Sequence, residues 1–462
     1  MWGRFSVLHK YVCRLSGPFL FKITPRIPRE TYKHPRMHIC LFQSAYPGHH
    51  PLREHDKYPD PGRYVNQHTF QHRLIEKSNA KAQIDAAVAE NFDFYISFMW
   101  GQPEDEVSGV EATEYLESLN VPFIGLRSHI LRKSKTDFYK AAQAKGSPQV
   151  PLCDPDSFPV IVKAARSCAS QFLNAKSLCF TPEERDLAIL DIDKQLQPGR
   201  IRASNRDHNS HSNGVPNGHA SQPLSVQNLP DDIVVQQFVQ GTDYCVVIIE
   251  IGGTPIALDP TIINYPAGAD ADNEYRFLTF DLNFHPQLTE SLIKREDDPD
   301  LFDLLQKTAV DAFHANGMIG GGWANVDIRI TPDGKAVAIE INPMPAIFLP
   351  PEFKWGEDPV IRDSLPGGHR ALLNIILASY FLRSNRKEKA RQDFIATTYD
   401  CIAPKYDSDY LPQSSAEERL QKLISRFDFG GSLLDLACGT GIFGRLLRSQ
   451  RYVFFPNHLY DI

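Results

Sequence analysis

Apolar and polar residues alternate along two neighbouring stretches of the chain, Asn325-Val326-Asp327-Ile328-Arg329-Ile330 and Ala336-Val337-Ala338-Ile339-Glu340-Ile341-Asn342, joined by Thr331-Pro332-Asp333-Gly334-Lys335. A period of two predicts strands, with Asn325, Asp327 and Arg329 on one face of the first and Val326, Ile328 and Ile330 on the other. Asp333-Gly334 suits a two-residue hairpin turn. Closed there, the ladder sets Arg329 opposite Ala338, Asp327 opposite Glu340 and Asn325 opposite Asn342. The two carboxylates would then stand roughly 5 Å apart, a like-charge pair that destabilises a sheet unless a cation lies between them. Carboxylate and amide oxygens around such a gap suit a hard divalent cation, and magnesium held through a few carboxylates plus substrate phosphates is the usual form. A nucleotide enzyme is one reading of the hairpin; a solvated acidic edge is the other. Glycines 320 to 322 before it and Pro343-Met344-Pro345 after it restrict the backbone at both ends.

The same patterning organises the rest. Met37 to Phe42 reads as a short apolar strand, His68 to Glu90 as helical, and Phe92 to Phe98 and Val121 to Gly125 as further strands. Strands alternating with helices predict a parallel α/β sheet. Ser134-Lys135-Thr136-Asp137 opens a helix, Phe158 to Lys163 is an apolar strand ending in a lysine, and Ile233 to Tyr244 runs into a strand from Cys245 to Ile251. Ala371 to Leu382 is shorter than the ~18 apolar residues of a membrane span and is interrupted by Asn374 and Ser379, so it predicts a packed helix. Gln195 to Pro230, carrying "SNRDHNSHSNGVPNGHASQP", has a disorder composition and is expected to loop out to solvent.

Composition narrows the class. With 462 residues, the chain has room for about three domains. A net charge of -7 gives no electrostatic footprint for nucleic acid. The eight cysteines form no CxxC and no metal spacing with histidine, which fits a reducing compartment such as the cytoplasm. Residues 1–36 carry five arginines and three lysines against one acid, Glu30, and read as a disordered extension or an over-long gene model, with a mitochondrial transit peptide as the alternative. His49, His50 and His55 have no acid or cysteine in register and read as loop residues.

Lys135, the strand lysine Lys163, "VVQQFVQGTDY" and an acid-strand-turn-strand ending in "EINPMP" together resemble the ATP-grasp superfamily, most closely the D-alanine–D-alanine ligase family, over roughly residues 37 to 385. The resemblance implies an α+β fold: an N-terminal parallel α/β domain (37–125), a central or lid subdomain (126–240) with the insertion 195–230, and a metal-binding subdomain (241–385), with ATP between two antiparallel sheets. It implies that Lys135, Lys163 and Arg276 contact phosphates, that Gln236 and Val239 meet the adenine edge, that Asp243 holds the ribose, and that Asp327, Glu340 and Asn342 bind magnesium or manganese. The implied reaction is ligation of a small-molecule carboxylate to an amine through an acyl phosphate, in a protein without nucleic-acid or membrane partners and compatible with a homodimer. Three departures stand out. Asn325 replaces the family's oxyanion-stabilising arginine, with Arg329 on the same face as the substitute charge about 13 Å along the strand. "MWGQPEDE" (99–106) only faintly echoes the acceptor loop, with Met99 in place of a histidine. "QSAYPGHHPLREH" shows no counterpart to the glutamate that holds the first amino acid's ammonium. A substrate other than D-alanine is expected. Another ATP-grasp kinase or carboxylase, and a nucleotide-binding module without catalysis, are the alternatives.

Downstream of 386, "SLLDLACGTGIFGRLL" resembles the start of a class I S-adenosylmethionine-dependent methyltransferase, with Asp435, Gly439 and Gly441 forming the strand-turn-helix that lets a backbone approach a nucleotide-like ligand. Only the residues after Gly441 remain to complete a parallel sheet, whose crossovers need a dozen or more residues each. The segment is expected to bind no S-adenosylmethionine by itself, and reads as a truncated fusion or a relic.

Overall fold

The computed structural model describes residues 36–48, 50–53, 57–210, 228–267, 274–352, 356–383 and 418. The basic N-terminal stretch up to residue 35, His49, His55, residues 211–227, and the methyltransferase-like segment with Asp435, Gly439 and Gly441 lie outside them. The chain is a mixed α/β protein with one parallel and two antiparallel sheets.

The first sheet has the order β2-β1-β3-β4 and is parallel throughout: β1 (His38–Ser44), β2 (Thr69–Ile75), β3 (Phe94–Phe98) and β4 (Phe123–Gly125). Cys40, Phe42 and Tyr95 pack on helices α1 (Ala80–Ala89) and α2 (Val110–Ser118), while Ile39, Leu41, Phe94 and Ile96 face a second core. Burial on both faces explains their near-continuous apolar runs. β2 corrects the expectation of a helix from His68. It lies at the sheet edge with only Ile75 buried, so "TFQHRLI" shows no clean alternation.

The second sheet, order β6-β5-β7, holds β5 (Val160–Ala164), β6 (Leu178–Cys179) and β7 (Ile233–Gln237). Val160, Val162, Ile233 and Val235 pack with Ile189 and Ile192 of α4 (Pro182–Ser210). Alternation therefore turns Ile161, Lys163, Val234 and Gln236 to the opposite face. α4 also corrects the boundary of the expected insertion: helix continues past Gln195 and Pro198 to Ser210, and Arg200 is tied to Asp193 at 2.5 Å and Asp232 at 2.7 Å. The second pair links the helix to the residue just before β7.

The third sheet runs β11-β10-β8-β12-β13, with β9 also on β8: β8 (Thr242–Ile251), β9 (Thr254–Ala257), β10 (Thr261–Asn264), β11 (Thr289–Leu292), β12 (Trp323–Ile330) and β13 (Ala336–Asn342). One face, with Val246, Ile248, Ala324, Val326 and Ile328, packs on α3 (Lys135–Lys145) and α5 (Pro299–Ala315). The other face begins dry, where Val247, Ile249 and Trp323 meet the first sheet and α6 (Gly368–Arg383). Further along β12 the same face turns polar at Asn325, Asp327 and Arg329. Among the described residues no helix is long and apolar enough to cross a membrane.

Candidate active site

The β12–β13 pairing matches the expected register where it concerns the site: Asn325 lies opposite Asn342 and Asp327 opposite Glu340. It reaches that register by two departures that cancel. The loop is three residues long, Pro332-Asp333-Gly334, closed by Thr331 N–H on Lys335 O at 2.9 Å, with Gly334 at φ +79°. This is a turn ending in a left-handed glycine rather than a two-residue hairpin. It shifts the pairing by one residue, so Ile328 faces Ala338 and Arg329 faces Val337, correcting the expected Arg329–Ala338 pair. A bulge between Asp327 and Ile328 then restores the frame. The carbonyl of the extra residue, Ile339, accepts a 2.7 Å hydrogen bond from the Tyr139 hydroxyl.

A polar row crosses the sheet at this level, Thr261, Cys245, Asp327 and Glu340 being neighbours in successive strands. Lys135 faces it from the first turn of α3. Ser134 caps that helix reciprocally with Asp137, and left-handed Gly146 closes its other end. The cap fixes where Lys135 leaves the helix; its ammonium, 8% exposed, reaches Glu340 Oε1 at 2.8 Å and Ser167 O at 2.7 Å. A cation at a helix N-terminus opposes the dipole, and Glu340 compensates it. Lys163, 5% exposed, is pushed down to about 8 by burial, opposed by the field of Glu340 and reinforced by Lys135. Burial together with Glu340 pushes the Asp327 carboxyl up to about 7.

Asp327 Oδ1 accepts from Cys245 Sγ at 3.3 Å and from Asn325 Nδ2 at 3.2 Å. Among the described residues these bonds engage Oδ1 of Asp327 and Oε1 of Glu340 only, which leaves Oδ2 and Oε2 for another ligand. Two carboxylates and the Asn342 amide oxygen, which also accepts from Met344 N at 3.0 Å, form a hard-oxygen set. Among the described residues no three His, Cys, Asp or Glu side chains are grouped to hold a metal unaided. The set therefore suits a cation that completes its shell with phosphate oxygens and water.

The loop after β5 meets Lys135 through the carbonyls of Ala165 and Ser167. Ala169, Ser170 and Phe172 hold left-handed backbone at φ +51°, +55° and +69°. Such positions cost about 1 kcal/mol or more each in non-glycine residues and collect at ligand clamps. Arg166 in this loop meets Glu104 of the 99–106 segment at 3.7 Å.

The other expected nucleotide residues are gathered but largely engaged within the protein. The Gln236 carboxamide lies 2.7 Å from the Tyr139 hydroxyl, whose one proton is shared between it and Ile339 O. Arg329 donates to Asp243 Oδ1 at 2.6 Å and Oδ2 at 3.0 Å, to Val239 O at 2.7 Å and to Arg276 O at 2.6 Å. Its guanidinium lies over Phe238, 5.0 Å from the ring centroid. Arg329 is thus committed to the β7–β8 connection and does not supply the charge absent at Asn325. Tyr265 donates to Asp243 Oδ2 at 2.8 Å, so three of the roughly four acceptor sites of that carboxylate are filled and a ribose hydroxyl would have one. Arg276 is stacked on Tyr265 at 4.0 Å from the centroid.

Several groups here were not foreseen. Tyr139 is four residues from Lys135 on one helix face, a spacing that could have revealed it. Glu290 and Glu357 carry no local motif. Glu290 stands exposed on β11, and burial with Glu290 nearby pushes the half-buried Glu357 up to about 8.

No protein-family profile matches the sequence, and no curated protein matches it either. Among solved structures, D-alanine–D-alanine ligase from Bacillus anthracis complexed with ATP is similar with TM-score 0.45 at 15% identity, covering 78% of this chain and 99% of that one. The D-alanine–D-alanine ligase from Coxiella burnetii gives 0.44 at 15% identity, covering 81% and 99%. A biotin carboxylase from Campylobacter jejuni gives 0.43 at 14% identity, covering 74% and 65%.

Proposed function

We propose that the chain is an ATP-dependent, ATP-grasp ligase that joins a small-molecule carboxylate to an amine, with magnesium at Asp327, Glu340 and Asn342. The observation that carries this reading is the opposition of Asp327 and Glu340 on one sheet face to two buried lysines, Lys135 and Lys163, contributed by a helix and a second sheet. Buried like charges facing buried opposite charges, with oxygens left over, form an arrangement that a metal-bound polyphosphate would complete.

Bound there, the metal would neutralise charge on the transferring phosphoryl group. Lys135 and Lys163 act as point charges on the phosphate oxygens, and the strained loop after β5 excludes water from them. A substrate carboxylate oxygen attacks the γ-phosphorus and ADP leaves. The amine nitrogen then attacks the acyl carbon, the C–O bond to phosphate breaks, phosphate departs with the electron pair, and the nitrogen loses a proton to solvent. Catalysis is positioning and electrostatics throughout.

Asn325 favours a second reading, a module that binds nucleotide without ligation, because it stands where the resemblance expects the oxyanion-stabilising arginine and Arg329 is engaged by Asp243. Release of ADP and phosphate from magnesium-ATP, measured across a panel of carboxylates with and without amines, separates the two. Turnover that needs both co-substrates and vanishes in Glu340→Gln supports the ligase. Tight nucleotide binding without turnover under every pairing supports the module.

A further inference from the structure

The segment after β3 is a closed loop with a pinned neck. Gly101 and Gly109 bridge one another there, with Gly101 N–H on Ser108 O at 3.0 Å and Val110 N–H on Gly101 O at 2.9 Å. Lys77, from the turn between β2 and α1, holds the tip. Its ammonium, on a side chain 9% exposed, donates to Gln102 O at 2.5 Å, Pro103 O at 3.0 Å and Asp105 O at 2.9 Å, with Glu111 Oε2 at 3.6 Å. A primary ammonium carries three N–H donors, so it gathers three carbonyls of one turn as a bound cation would. Gln102 Nε2 adds a bond of 2.7 Å to Leu131 O, three residues before the cap of α3.

Glu104, within that turn, meets the second sheet's unit twice. Its carboxylate pairs with Arg166 at 3.7 Å, and its backbone lies so close to Gly199 of α4 that a Cβ there would stand 2.9 Å from Glu104 O. This approach gives a reason for Pro198 and Gly199 in a helix interior, the two residue types that suit one least. Consecutive bonds lead from the contact to the phosphate lysines. Arg200, next to Gly199, holds Asp232 at 2.7 Å; Asp232 O accepts from Ala165 N–H at 2.8 Å, and Ala165 O from Lys135 N–H at 2.9 Å. Lys163 lies on β5, two residues before Ala165.

We propose that the 102–106 turn is a stop against which the second sheet and α4 close over bound nucleotide, with Lys77 and Gly199 as its positioning residues. Lys77 keeps the turn rigid, and Gly199 lets α4 reach it. This rests on the nucleotide-binding part of the reading above and holds for the ligase and the binding module alike. Lys135 and Lys163 come from different elements, α3 and the second sheet, so retention of a nucleotide depends on those elements staying together. The Glu104–Arg166 pair, with side chains 29% and 27% exposed, adds little by itself; the backbone contact at Gly199 carries the closure. Loss of the stop removes no group that meets the phosphates, so its effect falls on dissociation rather than association.

The test is stopped-flow displacement of a fluorescent, non-hydrolysable ATP analogue from the full chain with magnesium, using excess ATP. Gly199→Ala separates closure from folding, because alanine suits a helix better than glycine while its Cβ meets Glu104 O. It is expected to speed dissociation about fivefold, with association changed less than about twofold and the melting temperature of the ligand-free chain retained. Lys77→Met should speed dissociation about tenfold, and Lys77→Arg, which keeps the charge and donors, should recover part of the loss. Dissociation indifferent to both Gly199→Ala and Lys77→Met overturns the proposal while nucleotide binding stands. Faster dissociation in Gly199→Ala that comes with a lowered melting temperature overturns it as well, since the turn is then a folding element only. Failure of the unsubstituted chain to bind the analogue overturns the nucleotide reading, and the stop with it.

Discussion

The two ends of one strand face behave oppositely. At the Arg329 end of β12 the guanidinium, Asp243, Tyr265, Val239 O and Arg276 O satisfy one another. At the other end, four residues back along the strand, Asn325 Oδ1 has no donor among the described residues, Asp327 is held against ionisation and Glu340 leans on a lysine borrowed from α3. Both ends are polar and half-enclosed, and composition does not distinguish them. The satisfied end holds the β7–β8 connection to the sheet, where Gly241 at φ +146° lets the backbone pass Ile330 O. The unsatisfied end is arranged for something to arrive. Polar groups that complete each other indicate architecture, and groups that remain incomplete indicate a ligand.

Mutations at the two ends should therefore separate activity from stability. Glu340→Gln is expected to lower magnesium-dependent ATP turnover by about 100-fold or more, equivalent to roughly 3 kcal/mol of transition-state stabilisation, with little change in melting temperature. A large melting shift with turnover retained would place Glu340 on the structural side. Arg329→Met should do the reverse in stability: stranding Asp243 in a nearly closed pocket costs about 3 kcal/mol or more in denaturant unfolding. A loss below about 1 kcal/mol would show that the pair is replaceable by packing.

The pH dependence is a finer probe of the incomplete end. Glu357 has a folded value of about 8, well above its ordinary one, so between these values the folded state binds more protons than the unfolded state. Its contribution to stability is full below about pH 4.5 and is lost as pH rises through 8. Discounted for partial exposure, this amounts to about 1 to 2 kcal/mol, and Glu357→Gln should flatten that part of a stability profile measured without ligand. Identical wild-type and variant profiles would count against it. The smallest effect lies behind the site: Ser134→Ala should cost about 1 kcal/mol by removing the cap that aims Lys135, read as a lowered melting temperature with ATP turnover reduced only modestly.

How much was legible follows from whether the determinant is local. Alternation exposed β12 and β13, apolar runs exposed β1, β3 and β4, and the Ser134–Asp137 spacing exposed the start of α3. β2 was lost because an edge strand with polar neighbours on both faces has no period to read. Pairing Asp327 with Glu340 needed only the ladder, whereas the commitment of Arg329 to Asp243, 86 residues away, is set by the β8–β12 register. Glu290, on β11, joins the polar row through a 2.8 Å hydrogen bond from Thr261, and no spacing in the chain announces that meeting.

The compensated slip in the hairpin has a consequence for any attempt to transplant or align it. Residues 325–327 with 340–342 keep one frame and residues 328–330 with 336–338 another, like two scales that coincide at one end only. A gap-free comparison with a simple two-residue hairpin would transfer the Asp327–Glu340 partnership correctly and assign Arg329 the wrong neighbour. Shortening the loop by a residue while leaving Ile339 in place would move the mismatch into the carboxylate pair. A graft of this element must therefore carry its turn and its bulge as one unit.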